Sequence, residues 1–144
     1  MQEPSMTIEC QGSCLCGAVS LTVTIEGHSV AACHCSMCRT WSGAPMLALE
    51  GVKEVHITGE ENIAVYASSE WAERGFCRQC GTHLFYRLRE SDHYALPIGL
   101  VDRGEAWHFE TQIFIDEKPA FYAFANQTQE LTGQQALEMF NESR

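Results

Sequence analysis

Seven of the eight cysteines in this 144-residue chain fall into three short groups. They read Cys14-x-Cys16, Cys33-x-Cys35-x-x-Cys38 and Cys77-x-x-Cys80. Sulfurs this close along a chain are poorly placed to bridge one another as disulfides, yet they converge readily on one ion. Thiolate ligands favour zinc, which accepts a tetrahedral shell and asks for no redox partner. Iron–sulfur centres also use cysteine, but their usual spacings are absent. The groups divide unequally. The first and third offer two sulfurs each, a set of four that closes a tetrahedral shell and does no chemistry. The middle group offers three, which leaves a coordination position for water or substrate, as in zinc sites that catalyse. Cys10 or His34 would close that position if either moved in, so spacing alone leaves both an open and a closed site standing. Otherwise Cys10 reads as a free thiol.

An open thiolate-bound zinc position favours an incoming thiol in its deprotonated form. His34, between two of the three cysteines, reads equally as a catalytic residue and as one that bonds a backbone carbonyl. Arg39 follows Cys38 and is the nearest positive charge in sequence, placed to balance thiolates or to receive an anionic substrate. Arg78 flanks Cys77 and reads as charge balance, with a weaker case than Arg39 for meeting substrate, and His83 reads as structural. Trp41 and Tyr66 read as core rather than pocket wall. Ser36 and Ser42 have no acid–base partner nearby, so a nucleophilic serine has no support.

The elements that must hold these groups are mainly strands. Val19, Leu21, Val23 and Ile25 alternate with polar residues, a period-two strand with one buried face. Val30 to Ala32 approaches the middle group, and Met46 to Leu49 is another apolar segment. Val55 to Thr58 and Ile63 to Tyr66 read as strands joined across residues 59–62. Ser68 to Arg74 is polar, Gly75 to Gly81 reads as a turn-rich knuckle, and His83 to Leu88 leaves it as a strand. Tyr94 to Leu100, Trp107 to Phe109 and Ile113 to Ile115 add short extended pieces. Only Gln134 to Met139 reads as a helix. If the strands after the first and third groups pair, their turns meet at one end of a sheet and complete the set of four.

Composition narrows the rest. Apolar residues make up 45% and charged residues 19%, which fits one packed domain over 1–144 with an ordered core of about 8–125. Nine basic against nineteen acidic residues give a formal charge of −10. That disfavours nucleic acid and anionic membrane as partners. No run of about eighteen apolar residues exists. The start, Met1 to Met6, lacks the basic and apolar regions of a secretory signal, so a reducing cytoplasm is expected.

Three blocks together resemble the glutathione-dependent formaldehyde-activating enzymes and their centromere-protein-V-like relatives. They are Gly12-Ser13-Cys14-Leu15-Cys16-Gly17-Ala18-Val19, Cys33-His34-Cys35-Ser36-Met37-Cys38-Arg39, and Phe76-Cys77-Arg78-Gln79-Cys80-Gly81-Thr82-His83-Leu84. The resemblance implies tent-like stacked antiparallel sheets around two zinc ions. Position by position, Cys14, Cys16, Cys77 and Cys80 match the structural ligands, and Cys33, Cys35 and Cys38 match those of the catalytic zinc. It also implies a carbon–sulfur lyase reaction that joins formaldehyde to glutathione as S-hydroxymethylglutathione. Gln112 to Lys118 resembles the family's C-terminal strand, with Gln112 where histidine is expected. Two functions follow as expectations. One is a lyase acting on a small thiol or glutathione adduct; the other is a non-catalytic zinc-stabilised module that binds a macromolecule. Absence of a long basic extension favours the enzyme.

Overall fold

The computed structural model describes residues 7–89, 91–101 and 107–142; the opening segment read above for a leader lies outside them. In chain order the first elements are β1 (Thr7–Ser13), β2 (Ser20–Glu26), β3 (Ser29–Cys33), α1 (Ser36–Ser42), β4 (Met46–Leu49) and β5 (Val52–Thr58). Then come β6 (Ile63–Tyr66), β7 (Ala72–Cys77), β8 (His83–Leu88), β9 (Tyr94–Ala95), β10 (His108–Ile113), β11 (Gln129–Leu131) and α2 (Gly133–Glu142). The protein is mainly β, with a short helix near its C-terminus, as its patterning requires. Contacts divide it into two units, residues 1–28 with 49–106 and residues 29–48 with 107–144.

The first unit holds two antiparallel sheets, ordered β1-β2-β5 and β6-β7-β8-β9. In β2 the alternation is realised as read: Leu21, Val23 and Ile25 are buried while Ser20, Thr22 and Thr24 are not. Burying each such side chain is worth about 1.5–3 kcal/mol. β1 carries no apolar alternation in the sequence, because its buried face is made of Cys10 and Gly12. Gly12 is required there, since a Cβ would stand 2.1 Å from the Leu100 carbonyl oxygen. The segments around residues 55–58 and 63–66 are both strands, yet they belong to different sheets. β7 begins inside the stretch read as polar and runs through Gly75 to Cys77. Arg74 is buried on it, its guanidinium 5.0 Å from the Tyr86 ring centre. Burying an arginine over an aromatic face is a tertiary event that no period in the sequence announces.

The second unit holds the sheet β11-β10-β3-β4. Here β10 runs parallel to both β3 and β11, so this sheet departs from the antiparallel expectation. A parallel pair needs a long crossover, and residues 34–107 supply one between β3 and β10. α1 is a second helix that the sequence reading missed. It is short, and Cys38 is its one buried residue, so it carries no apolar stripe. Its ends are well specified all the same. The Cys35 sulfur accepts from Cys38 N–H at 3.3 Å, Glu117 Oε1 accepts from Ser36 N–H at 3.0 Å, and Gly43 closes the helix at φ 77°. α2 starts with a reciprocal cap: Thr132 Oγ1 accepts from Gln135 N–H, and Gln135 Oε1 accepts from Thr132 N–H. Among the described residues no helix is long and apolar enough to cross a membrane.

Candidate metal centre

Cys14 and Cys16 lie in the turn between β1 and β2; Cys77 ends β7 and Cys80 lies in the turn before β8. Their four sulfurs are within 4.8 Å of one another. Cys14 to Cys16 is 3.7 Å and Cys16 to Cys77 is 3.8 Å. A tetrahedral zinc at the usual sulfur distance of about 2.3 Å separates its ligands by about 3.8 Å. The donor set therefore fits zinc in number, type and spacing. Both turns are built alike. Gly17 and Gly81 take positive φ, Gly17 N–H donates to the Cys14 carbonyl, and Gly81 N–H donates to the Cys77 carbonyl. Pairing of the flanking strands is not what joins them, for β2 and β8 lie in separate sheets. A direct link does: Leu15 N–H donates to Thr82 Oγ1 at 3.1 Å.

Crowding of four thiols divides their acidities. Hydrogen bonds from the Thr82 hydroxyl and backbone pull Cys80 down to about 5. Cys16 is pushed up to about 11: the Ala18 N–H draws it down, but burial and its bonds to Cys80, Cys14 and Cys77 outweigh that. A divalent cation removes this competition for protons.

Cys33 ends β3, Cys35 precedes α1 and Cys38 lies in its first turn, again with all sulfurs within 4.8 Å. Hydrogen bonds to Cys35 and Cys38, and then burial, drive the Cys33 thiol far above its ordinary acidity range. Among the described residues no fourth cysteine, histidine or carboxylate joins this group, Cys10 included. All eight cysteines are free of disulfides.

His34 does not turn toward the sulfurs. It is fully buried, with Nε2 2.8 Å from Gln112 Oε1 and Nδ1 2.7 Å from the Tyr122 hydroxyl. The amide oxygen only accepts, so Nε2 carries the hydrogen and Nδ1 accepts from the phenol. Gln112 is itself fixed by donating to Thr128 Oγ1 at 2.9 Å. Burial, more than the nearby Lys118 and Arg39 charges, lowers the pKa of His34 and so favours the neutral ring. Arg39 Nε donates to the His34 carbonyl at 2.9 Å.

Arg39 and Tyr122 also line a cleft of about 600 Å³, with Pro45, Leu47, Phe121 and Phe124 among its walls. Burial pushes the Tyr122 hydroxyl above its ordinary range, and Arg39 and Thr40, which line the cleft, follow Cys38 directly in the chain. Tyr122 and Glu117 were not picked out from sequence. Tyr122 lies in an aromatic run, Phe121-Tyr122-Ala123-Phe124, with no metal-ligand or catalytic spacing to single it out. Trp41 is half-buried on α1, whereas Tyr66 is exposed on β6 and is not core. Arg78 donates to the Ile63 carbonyl at 2.8 Å, and His83 begins β8 as expected.

The protein is thus a small, mainly β chain with one group of four sulfurs and one of three, each able to hold a metal ion. Residues 9–117 match the family model described as glutathione-dependent formaldehyde-activating enzyme. The chain belongs to that enzyme family. It is 38% identical over 125 residues to a protein named as an uncharacterized lyase in Schizosaccharomyces pombe, covering 86% of this chain and 91% of that one. It is 38% identical over 91 residues to an Aspergillus flavus protein whose name provisionally assigns glutathione-dependent formaldehyde activation, covering 56% of this chain and 44% of that one. A similarly named Podospora anserina protein is 30% identical, with 78% and 53% covered. The chain thus spans about half the length of these last two relatives. A crystal structure of a Rhodobacter sphaeroides protein superposes with a TM-score of 0.56 at 25% identity, over 66% of this chain and 90% of that one.

Proposed function

We propose that this chain is a zinc-dependent carbon–sulfur lyase that makes or breaks the bond between a small thiol, glutathione, and the carbonyl carbon of an aldehyde, formaldehyde in the simplest case. The observation that supports this most directly is the unequal sulfur set, with the three-cysteine group beside a cleft. Two zinc ions per chain are expected. Cys14, Cys16, Cys77 and Cys80 would hold the first as a structural clamp; Cys33, Cys35 and Cys38 would hold the second. When bound, that second ion supplies a Lewis acid that favours the thiolate form of the substrate sulfur.

The chain's own residues do the remaining work. Arg39 has its Nε tied to the His34 carbonyl, which sets the plane of the guanidinium and leaves its terminal nitrogens for a substrate carboxylate. The Tyr122 hydroxyl handles the proton at the aldehyde oxygen, and His34 Nδ1 behind it orients that hydroxyl and exchanges the proton with it. In this reading His34 acts one residue removed from substrate. The reaction balances without a further reactant: the C–S bond forms as the S–H proton passes to the carbonyl oxygen.

The test is elemental analysis of the purified chain followed by exchange of isotope-labelled formaldehyde with glutathione. Two zinc ions, and exchange lost in Cys35→Ser while the fold remains, support the reading. A single zinc, or unchanged exchange in Cys35→Ser, overturns it and leaves the binding module.

A further inference from the structure

The cleft beside the three-cysteine group is far larger than a formaldehyde adduct fills. Such an adduct adds one carbon and one oxygen to the sulfur, whereas the cleft measures about 600 Å³. Its walls are mostly carbon. Pro45 and Leu47 come from the β4 side, and Phe121, Tyr122 and Phe124 come from the segment after β10. Phe121 is 84% exposed and Leu47 36%, large apolar surface that gains from being covered. Phe124 is held edge-on to Phe109 at 4.9 Å, so this wall is preformed rather than loose. The Tyr122 hydroxyl is engaged by His34, which leaves the ring as apolar surface. Polarity concentrates where Arg39 and Thr40 follow Cys38.

We infer that this cleft takes the aldehyde part of the substrate, and that it selects hemithioacetals whose aldehyde carbon bears an apolar chain or ring. The inference rests on the lyase reading above for the word substrate, but the binding it describes does not depend on turnover. In the reaction, thiol and aldehyde join as RS–CH(OH)R′: the C–S bond forms, the carbonyl π bond opens, and the thiol proton ends on oxygen. R′ is an alkyl or aryl group lying along Leu47, Phe121 and Phe124, while the carboxylates of the thiol remain at the Arg39 end.

Stable S-alkylglutathiones serve as probes. The zinc-loaded full chain is titrated calorimetrically with the series from S-methyl to S-hexyl. Each buried methylene should tighten binding about fourfold until the wall is covered. Phe121→Ala and Leu47→Ser, both at exposed positions, should reduce the gain per methylene. Affinity that is flat or falls along the series overturns the inference, as does an unchanged gain in both variants. Thiol–aldehyde exchange, measured separately with formaldehyde and hexanal, tests the lyase reading by itself. Absence of exchange with both removes that reading, while a rising affinity series would still place apolar groups in the cleft.

Discussion

His34 sits between two predicted zinc ligands yet points its ring into a hydrogen-bonded chain from Thr128 through Gln112 to Tyr122. Removing the phenol hydroxyl in Tyr122→Phe leaves a buried Nδ1 without its donor. This should cost about 1–3 kcal/mol in urea denaturation and slow exchange, with zinc content unchanged. His83 offers a separate reading of charge. Burial, and then the Arg74 charge, hold its pKa below the ordinary histidine value of about 6.5. The unfolded chain therefore takes up that proton first. Stability from this residue is full above about pH 6.5 and is lost as pH falls through the lower folded value. His83→Gln should flatten that part of the stability–pH curve, measured by thermal melts at fixed zinc. At this scale the sulfur groups are legible, because residue type and short spacing mark them. Tyr122 is not, since a phenol's partner eighty-eight residues away leaves no local mark.

At the scale of elements, β2 is legible through period-two alternation and α2 through the apolar residues around Ala136 and Leu137. α1 and β1 are not: one is specified by its caps, the other by a glycine and a cysteine turned inward. The caps are testable. Glu117→Ala should loosen α1 and lower stability by about 0.5–1 kcal/mol in denaturant titration. In β7, a Cβ on Gly75 would lie 2.4 Å from Phe85 Cζ, two residues before Cys77. Gly75→Ala should cost about 1–3 kcal/mol and loosen zinc at the four-cysteine turn pair, followed by chelator competition.

Across the whole molecule, the two sulfur groups are expected to answer differently to the same chemical change. Cys80→Ser should abolish cooperative melting, because a closed zinc site contributes folding energy outright. Cys35→Ser should keep a melting transition and lose exchange. Equal thermal losses in both would count against separate roles. The quartet could be read from sequence, but the strand partners could not, because pairing between segments eighty residues apart depends on surfaces that no local window contains. The parallel register of β3 with β10, Cys33 opposite Ile113, carries a consequence for synthesis. All four sulfurs of the first group are present once residue 80 has emerged from the ribosome. The strand ending at Cys33 waits for residues 108–113 before it has that neighbour, so a nascent chain passes through a stage with the four-sulfur group available and the three-sulfur group incompletely supported. Metal scarcity during translation should then harm the late-forming half of the molecule at a different point from the early one.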